Sequence, residues 1–129
     1  MILVADTHSL LWFLQDSPKL SSTAKSAILD ENNPVLVSTI VLAELKHQCS
    51  RNRLGARYES LYTEILRLRS VVIKPVLADI IALMPAELEI HDAIIVATAL
   101  REQQLTGEKC PLVTCDRAIA ESGLVEVVW

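Results

Sequence analysis

The chain is poor in aromatics, in pairable cysteines and in long apolar runs, and each shortage removes a class of protein. Aromatics make up only 4% of a composition that is 51% apolar, so the core must be built from Val, Ile, Leu and Ala. That mixture suits parallel strands covered on both faces by helices and disfavours an all-β sandwich. The three cysteines, Cys49, Cys110 and Cys115, form no C-x-x-C pair and leave an odd count. Neither a disulfide framework nor a structural zinc site is expected, and a reducing cytoplasm is the expected location. The longest apolar run, Ala93 to Leu100 with one Thr, is too short to span a bilayer. Met1-Ile-Leu-Val-Ala-Asp6 lacks a basic segment and meets an acid early, so no signal peptide is expected. No linker, repeat or low-complexity tract interrupts the 129 residues. A domain of this size buries roughly two-thirds of its unfolded surface, so a single domain over 1–129 is expected.

Net charge is −4, which argues against a nonspecific polyanion binder, but the sum hides a local patch. Lys46, Arg51, Arg53, Arg57, Arg67 and Arg69 supply half of the 12 Lys and Arg, against only Glu59 and Glu64 in the same stretch. Such a stretch is either a solvated helix face or a surface for phosphate or a partner.

What the chain does have is four carboxylates, Asp6, Glu44, Asp92 and Asp116, each where an apolar segment stops or begins. Ile2 to Ala5 reads as a strand ending at Asp6, with a helix from Leu10. Ser21-Ser22 cap a helix over Thr23 to Leu29, which Asn32-Asn33-Pro34 closes. Val35 to Ser38 is a second strand, and Thr39 caps a helix carrying Glu44 about a turn inside. Lys46 to Arg69 reads as a helix pair broken near Arg53-Leu-Gly55, its second member carrying an apolar stripe that includes Leu61, Ile65 and Leu66. Val71 to Ile73 is a third strand, and Ala78 to Met84 a helix stopped before Pro85. Asp92 leads into a helix over Ala93 to Gln104, apolar all round at its start and so buried against the sheet. Leu112 to Cys115 is a fourth strand ending at Asp116, and Ser122-Gly123 breaks a short helix before a last strand, Val125 to Val128. Strands alternating with helices imply a parallel, right-handed, doubly covered sheet.

Ligands of open α/β sheets bind beyond the carboxyl ends of the strands, where strand order reverses. Asp6 and Asp116 occupy such ends, and Glu44 and Asp92 lie in opening turns of helices that begin at the same rim. Two unit charges about 4 Å apart repel by roughly 4 kcal/mol at an effective dielectric near 20. Four converging acids therefore call for a cation, and an all-oxygen donor set without an obvious thiolate selects Mg²⁺ or Mn²⁺ over zinc. Thr114, two residues before Asp116, adds a hydroxyl on the same face. An acidic divalent site beside a basic stretch suits phosphodiester cleavage. Lys46, Arg51 and Arg53, which follow Glu44, are the candidates for gripping phosphate. Spacing alone leaves the bland alternative open: Asp6 and Asp116 are also in place to cap helices, a role that gains up to about 1 kcal/mol from the helix dipole.

Leu3-Val-Ala-Asp6-Thr7, the Ser-Thr-Ile-Val-Leu-Ala-Glu stretch from Ser38 to Glu44, Asp92-Ala-Ile-Ile-Val-Ala-Thr-Ala-Leu100 and Leu112-Val-Thr-Cys-Asp116 together resemble the PIN domain, in family order along the whole chain. The opening Asp-Thr-His-Ser-Leu-Leu-Trp-Phe-Leu looks like a VapC-type toxin of a type II toxin–antitoxin module. The resemblance implies a three-layer α/β/α sandwich with a five-stranded parallel sheet. It implies a Mg²⁺- or Mn²⁺-dependent endoribonuclease site at Asp6, Glu44, Asp92 and Asp116, with Thr114 at the hydroxyl position beside the last acid. It further implies a homodimer and a cognate antitoxin that covers the site. Two departures bear on substrate choice and antitoxin fit: Ile119 stands where many relatives carry an aromatic, and Ile90-His91-Asp92-Ala93 replaces a longer His-x-Asp-Pro-Phe-Asp loop.

Two other readings compete. A phospho-acceptor receiver domain has similar length and acids at strand ends, but wants paired acids after the first strand and its Lys-Pro after the last, whereas Lys74-Pro75 lies mid-chain. A non-catalytic RNA- or protein-binding module on the same fold sits badly with an intact acid set. Of the histidines, His8 and His91 are expected in supporting hydrogen bonds or exposed turns and His47 on the basic face. Strand alternation is expected to turn Cys115 away from the site as a buried structural thiol.

Overall fold

The computed structural model describes residues 1–129. Short apolar runs bounded by acids and turn residues form its strands: β1 (Leu3–Ala5), β2 (Val35–Ser38), β3 (Val71–Lys74), β4 (Leu112–Val113) and β5 (Val127–Val128). All pairings are parallel and the order is β3-β2-β1-β4-β5. Every residue of β1, β2 and β4 is buried, because helices cover both faces of the sheet and leave no wet side for a polar alternation. The helices are α1 (Thr7–Leu14), α2 (Ser22–Leu29), α3 (Thr39–Ser50), α4 (Tyr58–Arg67), α5 (Ala78–Ile81), α6 (Ile90–Thr106) and α7 (Arg117–Ser122). The result is the three-layer α/β/α sandwich that the alternating pattern implies.

The strand order disposes of the receiver reading. That fold places its strands in the order 2-1-3-4-5, whereas here β2 and β3 lie on one side of β1 and β4 and β5 on the other. Lys74 ends the edge strand β3 and pairs with Glu102 at 3.6 Å, away from the acids.

Several boundaries differ from the sequence expectation, and side-chain capping explains most of them. Helix α1 begins at Thr7 rather than Leu10 because the Asp6 carboxylate accepts the Ser9 N–H. Helix α6 begins at Ile90 rather than Ala93 because the Glu89 carboxylate accepts the N–H groups of His91 and Asp92. Ser38, not Thr39, caps α3, and the Thr39 hydroxyl instead accepts the Val76 N–H. Helix α5 stops at Ile81, and Leu66 of α4 is exposed while Leu61 and Ile65 carry its buried face. Strand β4 ends at Val113, two residues early, which matters for Cys115 below.

The run Ala93 to Ala99 in α6 is buried without a break, as an all-round apolar segment requires. It packs on β1, α3 and α5, and each fully buried Ile or Val there contributes about 1.5–3 kcal/mol. No helix is long and apolar enough to cross a membrane.

Candidate active site

Strands β1 and β4 are neighbours, with Ala5 opposite Val113, and the reversal of strand order falls between them. Here the chain leaves both strands at one rim. The Val113 carbonyl binds the two ends together by accepting the Asp6 N–H at 3.2 Å and the Ser9 hydroxyl at 2.9 Å. Asp6, only 7% exposed, spends Oδ1 on the Ser9 N–H at 2.8 Å. Asp116 does the same at the head of α7, where Oδ1 accepts the Ile119 N–H at 3.0 Å. Both are helix caps, so the bland reading describes them correctly, yet each cap uses one oxygen and leaves Oδ2 uncommitted.

Glu44 reaches the rim from α3 and is fixed by the Thr7 hydroxyl, which donates to Oε1 at 2.6 Å. Asp92 stands in the first turn of α6. Thr114 is fully buried; its hydroxyl accepts the Asp116 N–H at 3.0 Å, so it shapes the turn that presents Asp116 and does not reach the cavity wall.

The four acids line one open cavity of about 470 Å³, together with Thr7, His8, Trp12, Ile95, Cys115 and Arg117. Burial first, and then the charges of Asp116, Glu89, Glu44 and Asp6, push the Asp92 carboxyl up to about 6. A cation between the acids would relieve that repulsion, and hard carboxylate oxygens suit a divalent ion. The donor set therefore fits Mg²⁺ or Mn²⁺ in chemistry and charge. It is open in geometry: no three acids stand close enough to grip an ion without moving.

Cys115 corrects the sequence reading. Because β4 has already ended, alternation no longer governs its side chain, and the thiol is exposed on the cavity wall. Partial burial and the charge of Asp6 push this thiol up from its ordinary value.

The basic candidates separate. Arg53 lines a second cavity of about 280 Å³ with His47, Gln48 and His91, and Glu44 is the wall it shares with the first. Lys46, two positions beyond Glu44, is turned about 200° round α3. It faces α4, 3.8 Å from Glu59 and over the Tyr58 ring. Arg51 is exposed at the C-terminal cap of α3 and lines neither cavity. The His91 ring Nδ1 lies 2.7 Å from a carboxylate oxygen of Glu89. Sequence reasoning passed over Thr7, Trp12 and Arg117 and expected His8 only in a supporting hydrogen bond or an exposed turn, whereas all four line the cavity. The spacing carried a signal for two of them, since His8 and Trp12 are four apart and share one face of α1.

An open parallel sheet with an acidic pocket at its switch point defines the class: an α/β protein whose candidate site is a cluster of carboxylates. The family follows from comparison with known proteins. The PIN domain model matches residues 3–123, and the chain belongs to the PIN-domain family, a family of nucleases. Among solved structures it is similar to VapBC2 from Rickettsia felis bound to a DNA fragment from its promoter. The TM-score is 0.73 at 19% identity, over 98% of this chain and 97% of that one, a likeness of fold. No curated protein sequence matches it.

Proposed function

We propose that this protein is a metal-dependent endoribonuclease and the toxin of a toxin–antitoxin pair, with Asp6, Glu44, Asp92 and Asp116 holding Mg²⁺ or Mn²⁺. The carrying observation is that acids from four separate elements line one cavity at the carboxyl ends of β1 and β4. Membership of a nuclease family and a VapBC fold neighbour support the same reading. RNA is the substrate, the cognate antitoxin and a second copy of the chain are the protein partners, and the cytoplasm is the compartment.

A divalent ion held by these carboxylates would supply Lewis acidity toward a phosphodiester and offset the charge that builds on it. The chain supplies placement. Asp6 and Asp116 are pinned through their caps with Oδ2 free, and Thr7 fixes Glu44. Asp92 must release its proton for the ion to load, so metal affinity falls as pH drops below about 6. Arg53, beside Glu44 and in none of the chain's ion pairs, takes a substrate phosphate.

The test is incubation of purified protein with mixed RNA in Mg²⁺, Mn²⁺ or EDTA. Cleavage that needs the metal and is lost in Asp6→Asn is expected. Cleavage indifferent to both chelator and substitution would refute the assignment.

A further inference from the structure

The acids occupy only part of the cavity wall. On the α1 side the wall is aromatic: the exposed His8 ring lies 5.5 Å from Trp12, centroid to centroid, and Trp12 lies 5.9 Å from Trp129. His8 and Trp12 both line the cavity that holds the carboxylates. Both tryptophans of a chain with 4% aromatics are therefore gathered within one ring contact of the site. Trp129 sits 36% exposed at the far end of the row, and Lys19 lies over the Trp12 ring at 5.9 Å.

Core packing accounts for only part of this arrangement. Trp12 touches the core only in part, and His8 is exposed, so the row ends in solvent on the site side. An acidic cavity repels the phosphates of a nucleic acid, and apart from Arg117 its wall offers no basic residue. A flat ring surface binds without charge, because every nucleobase has a π-face. Only an unpaired base can use such a surface, since the bases of a duplex are stacked on one another and A-form RNA hides their faces.

We propose that the His8–Trp12 wall stacks an unpaired nucleobase of the substrate next to the bond cut at the carboxylates. This rests on the nuclease reading for its meaning but is measured without catalysis. His8 presents the ring that meets the base; Trp12, backed by Trp129 and Lys19, stiffens and extends the stack.

The experiment is direct binding in EDTA, at low salt, of a single-stranded ten-nucleotide RNA and of the same sequence in a duplex. The readouts are intrinsic tryptophan fluorescence and a labelled-RNA titration. Both tryptophans belong to the row, so the whole signal reports on it. The single strand is expected to quench fluorescence and the duplex not. His8→Ala is expected to weaken single-strand binding about 5-fold or more and Trp12→Leu by about 5- to 100-fold, the range for losing one base-stacking partner. Trp12→Phe is expected to recover most of the affinity. Equal quenching by duplex, or single-strand binding unmoved in His8→Ala, would overturn the proposal. Because His8 is exposed, that variant decides the matter even if Trp12→Leu fails to fold. Loss of metal-dependent cleavage in Asp6→Asn is a separate measurement, so the nuclease reading and the stacking wall can fail independently.

Discussion

Asp92→Asn should stabilise the metal-free protein at pH 8, and the size of the gain follows from how the site treats this one acid. The carboxyl is raised from 3.8 to about 6, by burial first and then by Asp116, Glu89, Glu44 and Asp6. At about 1.4 kcal/mol per unit the rise corresponds to roughly 3 kcal/mol unscreened. Asp92 is only part-buried, so solvent screening cuts this to about half. A carboxylate in the first turn of a helix gains about 0.3–1 kcal/mol from the dipole, which Asn forfeits. The net expectation is a gain of about 1 kcal/mol, or about 4 °C in melting temperature for a chain of this length.

The sign with pH distinguishes this cause from better packing. A raised carboxyl binds its proton more tightly in the folded state, so folded stability declines as pH rises from about 4 through about 6, and the full penalty is present above that. The gain in Asp92→Asn should accordingly be present at pH 8 and vanish near pH 4. Thermal melts followed by circular dichroism in EDTA across that range measure it. Saturating Mn²⁺ should invert the order, stabilising the native protein and not the variant. A variant less stable than the native protein at pH 8, or a gain equal at both pH values, would refute the repulsion argument.

Three further expectations follow from the hydrogen bonds. Asp116→Asn and Asp116→Ala should both abolish cleavage, but only the Ala variant should lose the α7 cap and about 1 kcal/mol of stability, because Asn caps as well as Asp does; urea unfolding separates them. Thr7→Val frees Glu44 and should lower kcat about tenfold or more with little change in KM, since it removes orientation rather than a ligand. Arg53→Ala should weaken RNA binding and reduce its salt slope by about one, whereas Lys46→Ala, already engaged with Glu59 and Tyr58, should leave both unchanged; filter binding at several salt concentrations reads both.

The fold was legible because the apolar runs are clean and their order admits few topologies. Ile2 to Ala5 contains an observed strand, Val35 to Ser38 matches one and Val71 to Ile73 falls one residue short of one, while the apolar run from Ala93 pointed to a buried helix, as found. What escaped was local and polar. Reading β4 through to Cys115 required the alternation to continue, but the Thr114 hydroxyl takes the Asp116 N–H and turns the chain out of the sheet. That single bond reverses where the thiol goes. The layout of the basic stretch was hidden for a similar reason: helix periodicity turns Lys46 away from Glu44 toward an aromatic partner on α4. Neither partner is adjacent in sequence.

The question of whether these acids are caps or ligands dissolves once individual oxygens are followed. Each cap takes Oδ1 of Asp6 or Asp116 and ties the carboxylate to a helix N-terminus. Glu44 has a hydroxyl donor in Thr7. Asp92 has no such donor: the N–H groups near it go to Glu89, whose own charge adds to the repulsion. Asp92 thus carries the repulsion of its neighbours without a hydrogen-bond donor of its own, while the other three acids are held in place. A cation placed among these acids would therefore act most strongly on Asp92, the one carboxylate that burial and its neighbours' charges push up to about 6.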